Sequence, residues 1–423
     1  MNLFVIAWIA YQVWRGQSMP ARAVYWPALL FKLTAGVCLG LIYVYYYDGV
    51  GDTILYFRDS GVLSSLARKD PATYLAYLWD SNVQLELTSD AAEQPRTLYL
   101  LKLASVFNLL THDNYWITSA YFSFVSFMAA WYIVSQVRLT VPAAYWPAVA
   151  GFLFFPTAVF WSSGLIKESL AMAGIYLLGG CYLRVWFALP LRMWEFILIP
   201  LATWLVWSLK YYFLGVLLPI AVASLVLHKL YVTGMRMRYL PTKLLIWTLL
   251  MLVPLALVSW LHPNFQPDVL IAVIVENYGA FHAVSSPEDV IVYNDLHPDW
   301  ISLLTNAPKA AFAGLFRPLL WEASTGLQLL VAAENTVVIL LASTALWNFG
   351  NFFRSPYRLL IVTVLLYSVV LATFLALSTP NFGTLSRYRV GFLSALVTIL
   401  LFGNPFVSSL LRMAQRYLGS LAR

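Results

Sequence analysis

The stretch Tyr25–Tyr47, YWPALLFKLTAGVCLGLIYVYYY, holds one charged residue, Lys32, in 23 positions. A helix that crosses a bilayer needs about 20 consecutive apolar residues. The closing run Tyr43-Val44-Tyr45-Tyr46-Tyr47 is the aromatic belt expected at a membrane–water interface. Segments of similar character recur at Tyr115–Gln136, Pro142–Phe160, Ser169–Tyr182, Phe196–Ser208, Phe213–Leu227, Leu244–Leu261, Leu327–Trp347, Leu359–Leu377 and Gly391–Leu411. The expected fold is an all-α polytopic transmembrane helix bundle of roughly ten to eleven spans. It forms one integral membrane domain, residues 1–423, with two long external loops at about 48–114 and 262–325. Short interfacial helices are expected in both loops. Thr97–Leu110 is amphipathic, with Lys102 among leucines, and Ala310–Leu320 is an apolar piece interrupted by Arg317-Pro318.

Composition supports this reading. Hydrophobic residues make up 61% and charged residues 11% of the chain, against about 25% charged in a soluble domain. Threading the spans alternately leaves seventeen of nineteen Asp/Glu on one face, Glu195 and Glu334 excepted. The other face holds Arg15, Arg22, Arg138, Arg184, Arg192, Lys229, Arg236, Arg238, Lys243, Arg354, Arg358, Arg412, Arg416 and Arg423. Basic short loops mark the cytoplasmic side, so the acidic face is expected to be external and to carry the chemistry. The strongest anchor is His228–Lys243, with four Lys/Arg and no acid. The net charge of +7 is spread over these loops. It fits topology signals and contact with anionic membrane lipids, and excludes a nucleic-acid footprint. Cys38 and Cys181 fall in apolar segments and suggest neither a disulfide nor a metal site. Asn2–Trp14 is followed by Arg15 and no small-residue cleavage site, so no cleavable signal is expected. It reads as an interfacial helix or an incomplete span.

Charged groups at the outer ends of spans are expensive without a role. Asp48 and Asp52 close the first span. Were that turn helical, their spacing of four would put both carboxylates on one face, able to deprotonate or orient an acceptor hydroxyl. A solvated loop end is the plainer alternative. The second cluster is Phe160-Trp161-Ser162-Ser163-Gly164-Leu165-Ile166-Lys167-Glu168. Lys167 is placed to bind a phosphate, assisted by the Ser163 and Gly164 amides at a helix start. A helix capped by Ser162 or Ser163 explains Glu168 equally well. It leaves Lys167, a cation at a positive helix end, unexplained. Lys210-Tyr211-Tyr212, Arg317-Pro318-Leu319-Leu320-Trp321-Glu322 and Ser386-Arg387-Tyr388-Arg389 also end spans on the acidic face. Arginine forks bind phosphate bidentately, so Lys167, Lys210, Arg317, Arg387 and Arg389 are expected to line one pocket. Lipid-headgroup contact is the bland alternative. His112, His262, His282 and His297 lack ligand spacing, and His297-Pro298-Asp299 reads as a turn before it reads as a metal site. Glu334, beside Asn335, is expected to pair with an arginine or to sit near the outer interface. No nucleophile elbow, phosphate loop or dinucleotide fingerprint is present.

A carboxylate-bearing first external loop and a late Arg-Tyr-Arg before the final span resemble the GT-C superfamily of polytopic glycosyltransferases. The Phe160–Glu168 stretch, and Arg317-Pro318 with Trp321-Glu322, resemble bacterial exopolysaccharide and O-antigen polymerase-like membrane proteins. The resemblance covers short motifs between Asp48 and Arg389. It implies a sugar donor linked to polyprenyl phosphate or diphosphate, a glycan or lipid-linked acceptor, and a bacterial inner membrane with the active face external. It maps the carboxylate base or acceptor binder to Asp52 or Asp48. It maps the phosphate contacts to Lys167, Arg387 and Arg389, with Ser163, Glu168, Lys210, Arg317, Glu322 and Tyr388 as further substrate contacts. The chain departs from the best-known members in having no large C-terminal soluble domain and no divalent-metal constellation. No cofactor is expected, and a divalent metal is left open. The rival readings are a transporter or flippase of lipid-linked sugars, and a structural subunit of an envelope machine.

Overall fold

The computed structural model describes residues 1–80, 85, 87, 94–232, 240–347, 350 and 354–409. Glu86, Asp90, Glu93, Arg236, Arg238, Arg412, Arg416 and Arg423 lie outside the described residues, as does the side chain of Lys243. In chain order the helices are α1 (Asn2–Arg15), α2 (Ala21–Leu41), α3 (Asp52–Lys69), α4 (Pro71–Trp79), α5 (Pro95–Thr111), α6 (Tyr115–Thr140), α7 (Tyr145–Ala148), α8 (Pro156–Trp161) and α9 (Lys167–Trp186). They continue as α10 (Met193–Val232), α11 (Leu240–Leu261), α12 (Pro267–Val284), α13 (Trp300–Phe316), α14 (Gly326–Trp347), α15 (Arg358–Ser378), α16 (Phe382–Tyr388) and α17 (Val390–Leu401). Among the described residues there is no strand, and one isolated bridge joins Val290 to Asn381.

Among the described residues, six helical segments are long and apolar enough to cross a membrane: Ala21–Tyr46, Tyr115–Thr140, Lys167–Trp186, Met193–Val232, Gly326–Trp347 and Arg358–Ser378. The bent pair α16 and α17, at 68°, makes a seventh if taken as one span. The chain is an integral membrane protein, an all-α polytopic bundle. The difference from ten or eleven spans has local causes. At 40 residues α10 is twice a span length, and Lys210 leaves helical geometry inside it (φ −148°, ψ 60°). It therefore contains the two segments Phe196–Ser208 and Phe213–Leu227. Pro142–Phe160 is built from a 3₁₀ turn (Pro142–Ala144), α7, a π-helical turn (Val149–Phe154) and α8. Pro156 lacks an amide N–H and pushes Phe155 into an extended conformation (φ −70°, ψ 114°), which interrupts the helix.

The chain divides into two compact units. One comprises Met1–Thr140 and Phe152–Tyr211, the other Val141–Gly151 and Tyr212–Arg423. In the first unit α2 runs antiparallel to α6. Tyr25 packs edge-on against Trp131, ring centroids 4.7 Å apart, while Gly36 faces Ser123 and Gly40 faces Tyr115 and Trp116. A Cβ on Gly40 would come within 2.8 Å of the Trp116 ring. Small residues four apart let membrane helices approach closely, and Gly36-x-x-x-Gly40 does so here. α6 and α9 run parallel, because Ser123 meets Gly164 and Gln136 meets Arg184. The N-terminal part of α10 returns antiparallel to α9: Gly174 abuts Ala202 and Val206, and Arg184 meets Glu195.

One end of this unit therefore gathers Arg138, Arg184 and Arg192. The opposite end carries α3–α5 and the start of α9. The first long loop is a helical cap: Tyr56, Leu63, Tyr74, Tyr77, Leu100 and Leu101 share a buried core with Phe122, Leu165, Leu170 and Leu209. Polar seams are closed within it, with Asn108 Nδ2 donating to Ser60 Oγ (2.9 Å) and Thr118 Oγ1 donating to Asn108 Oδ1 (3.0 Å). α1 packs beside α2 and α6. Asn2 is held by Leu110 and Tyr121 at one end, and Trp14 donates to the Arg22 carbonyl at the other. Fourteen residues reach about 21 Å, short of the ~30 Å hydrocarbon core.

In the second unit α13 packs lengthwise on α15, and a Cβ on Gly314 would collide with the Ala372 carbonyl. α14 and α17 are neighbours along much of their length: Arg389, just before α17, bonds Asn335, and Asn404 Nδ2, just after it, donates to Leu341 O (3.2 Å) and Thr344 Oγ1 (3.0 Å). The segment after α13 does not stay at the rim. Asn335 Nδ2 donates to Pro318 O at 2.8 Å, and Asn335 lies nine residues, about 14 Å, inside α14. Residues 315–318 thus sit level with the middle of α14, at the turn that follows α13.

Candidate functional site

The first unit brings Lys167, Glu168 and Lys210 together. Lys167 opens α9 and Glu168 follows it, while Lys210 occupies the non-helical position in α10. Lys210 Nζ lies 2.6 Å from Glu168 Oε1, with the two side chains 4% and 0% exposed. Lys167 Nζ donates to Thr97 Oγ1 of α5 at 2.7 Å and lies 5.1 Å from the centre of the Tyr56 ring of α3. Both lysines thus sit where a span end meets the helical cap. Arg96, beside Thr97, stacks its guanidinium 5.5 Å from the centre of the Tyr211 ring. The arrangement gathers two ammonium groups, a carboxylate and two aromatic faces at the positive end of α9. Burial holds the Lys102 ammonium in the same cap below its ordinary pKa, partly offset by Asp80. Its Nζ donates to the Leu78 carbonyl at 3.0 Å.

Asp52 is the first residue of α3, one helical turn before Tyr56. Positions four apart share a face, so Asp52 stands on the Tyr56 side of α3, where the helix dipole favours a carboxylate. Asp48 does not join it. The intervening turn is left-handed, with φ 50° at Asp48, 71° at Gly49 and 138° at Gly51, so the helical pairing of the two carboxylates is lost. A side chain at Gly51 would strike the Tyr43 ring, and the turn depends on that glycine. Asp48 is exposed.

The Ser163 and Gly164 amides do not open a helix. Ser163 N donates to Phe160 O and its Oγ to Val159 O, while Gly164 N donates to Ser123 Oγ at 2.8 Å. α9 begins at Lys167 after an extended Ile166, without a side-chain cap, so neither Ser162 nor Ser163 caps it. Ser162 serves Lys32 instead. Lys32 Nζ, 4% exposed within a span, donates to Ser162 Oγ (2.5 Å) and Val159 O (3.5 Å). It stabilises the C-terminal end of α8, where backbone carbonyls lack helical partners.

The second unit gathers Arg317, Glu322 and Arg389. Arg317 Nε contacts both Glu322 oxygens (2.8 and 3.0 Å), and its Nη2 lies 2.6 Å from Oε1. The guanidinium lies 4.9 Å from the Phe382 ring centre. Glu322 Oε2 also accepts from Leu319 N. Arg389, 2% exposed, donates to Asn335 Oδ1 (2.7 Å), Leu315 O (3.5 Å) and Arg317 O. It caps the carbonyls at the C-terminal end of α13, and Glu334 interacts with it electrostatically. Arg387 is buried in α16, and the Tyr388 ring centre lies 6.1 Å from that of Tyr212. Tyr293 donates to Ala376 O at 3.0 Å, and burial raises its phenol above the usual range.

Of the expected cations, Lys167 and Lys210 belong to one unit and Arg317, Arg387 and Arg389 to the other. Asp299 caps α13 by accepting from Ser302 N (2.9 Å), so His297-Pro298-Asp299 is a turn. Glu195, an exception to the sidedness, is neutralised by Arg184 at 3.2 Å, and its carboxylate also accepts from Tyr132 OH at 2.8 Å. Sequence reasoning did not assign Thr97 or Tyr56 to the lysines, because nothing local marks a contact made between distant helices. Lys32, alone in an apolar span, carried its own signal. No family model matches the chain, and neither a curated protein nor a solved structure matches it.

Proposed function

We propose that the protein is a GT-C-like membrane glycosyltransferase or polysaccharide polymerase. It would move a sugar from a polyprenyl-phosphate or diphosphate donor to a glycan or lipid-linked acceptor at the external face of a bacterial inner membrane. The observation that carries the proposal is the Lys167–Glu168–Lys210 cluster, tied to α3 through Tyr56. A polyprenyl chain stays in lipid while its phosphate rests at the interface, and paired ammonium groups at a helix N-terminus suit that phosphate. Asp52 takes the proton of the acceptor hydroxyl as its oxygen attacks the anomeric carbon. The carbon–oxygen bond to the phosphate breaks, and the lysines stabilise the departing anion. Inversion at the anomeric carbon follows from the resemblance alone. Tyr211, half-buried beside the cluster, offers a face for the sugar. Arg317 and Arg389 are engaged within their own unit, so phosphate binding is assigned to Lys167 and Lys210.

Asp52→Asn and Lys167→Ala should each abolish glycan transfer from polyprenyl-linked donor in isolated membranes, with membrane insertion retained. Normal transfer by both variants rejects the site. Transport of the same lipid has one specific point in its favour, the bent α16–α17 pair beside a buried arginine. Lys32 and Arg389 are nevertheless occupied in capping helix ends, which accounts for charge inside the spans without a transport pathway. Reconstituted protein that flips labelled lipid-linked sugar, and forms no new glycosidic bond, would establish transport instead.

A further inference from the structure

The first unit also contains an apolar cleft of about 830 Å³ between α1, α6, α9 and the start of α10. Phe124, Met128, Leu177, Leu198 and Leu201 line its length, and Arg138 and Arg192 stand at one end. From Phe124 to Arg138 it follows α6 for fourteen residues, about 21 Å. That exceeds half of the ~30 Å hydrocarbon core and falls short of all of it, which suits chains from a single leaflet. The volume lies within the range of about 300–1,000 Å³ typical of ligand sites. Arg184, at the same end, is engaged by Glu195 and Gln136. Arg192 is exposed and Arg138 half-buried, the latter donating to Ser18 Oγ at 3.3 Å. The Trp194 ring lies 5.3 Å from that of Tyr132 at the same level, as aromatic residues do at headgroup depth.

We infer that this cleft is a binding site for one phospholipid with an anionic headgroup. Its acyl chain lies between α6, α9 and α10, and its phosphate sits between Arg138 and Arg192. Charge complementarity selects the headgroup and the length of the cleft selects the chain. The arginine end of the cleft is the end of the unit away from Lys167 and Lys210, so the inference does not depend on the transfer reaction.

Full-length protein, delipidated in detergent, would be titrated with phosphatidylglycerol or phosphatidylcholine, with bound lipid counted by native mass spectrometry and the thermal shift recorded. Phosphatidylglycerol should bind at one copy and raise the melting temperature, and phosphatidylcholine should bind far more weakly. Near a membrane surface each basic residue contributes about 1 kcal/mol, so Arg138→Ala with Arg192→Ala should weaken binding about 30-fold. The Arg→Lys pair should retain most of it. Leu177→Trp, which fills the cleft and keeps both arginines, should also lose the bound copy. Equal binding of both lipids, wild-type affinity in the double alanine variant, or an undiminished copy in Leu177→Trp would each overturn the site. So would displacement of phosphatidylglycerol by substoichiometric polyprenyl phosphate.

Discussion

At the scale of single residues, the Lys210–Glu168 pair is the contact whose two possible duties can be separated. It is almost fully buried. Removing one partner strands a charge and costs about 3–5 kcal/mol, whereas replacing both by apolar residues of similar size is often neutral. Lys210→Met alone should therefore lower the unfolding temperature in detergent strongly, and Lys210→Met with Glu168→Leu should recover most of the loss. If the pair also holds phosphate, the recovered double variant stays inactive. A stable double variant with full transfer activity would reduce the pair to scaffolding. The residue types at this pair were legible, because opposite charges beside a span demand an explanation. Their mutual contact was not, since residues 168 and 210 sit on different helices.

At the scale of elements, the turn after α13 is held by Arg389. Its donors supply carbonyls at Leu315 and Arg317 that no helix continues to satisfy, and a buried carbonyl left without a donor is costly. Arg389→Met should destabilise the protein by about 3 kcal/mol. Amide exchange should accelerate locally at residues 313–325 before it does so in α15. Unchanged exchange there would show that the turn does not depend on this cap. The sequence shows Ala310–Leu320 as apolar and broken at Arg317-Pro318, which matches where α13 ends. It does not show that the segment dips to the level of Asn335, because depth comes from α14 and α17, not from the segment itself. Lys32 performs a similar service for α8 in the other unit, again through carbonyls far away in the chain.

At the scale of the whole molecule, the segregation of charge becomes geometry in the first unit. Parallel α6 and α9 end together in Arg138 and Arg184, while the acidic cap covers their starts. In a background with Cys38 and Cys181 replaced, His112→Cys and Ala188→Cys should react with a membrane-impermeant maleimide from opposite faces. Both residues are exposed. Labelling from the same face would contradict the orientation of α6 and α9.

The amino-acid order alone determined that this chain lives in lipid as an α-helical bundle with segregated charge, because hydrocarbon admits no unsatisfied backbone and the apolar runs have spanning length. It also marked most of the costly ions, since a charge among leucines is conspicuous wherever it occurs. Tertiary structure alone decided which ions meet: Lys167 with Thr97 and Tyr56, Lys210 with Glu168, Arg389 with the carbonyls at the end of α13. It also decided that Asp48 turns away from Asp52. Those outcomes depend on helix direction, on glycine-permitted close approach and on breaks at proline and Lys210, which are set by packing between distant segments and leave no local trace.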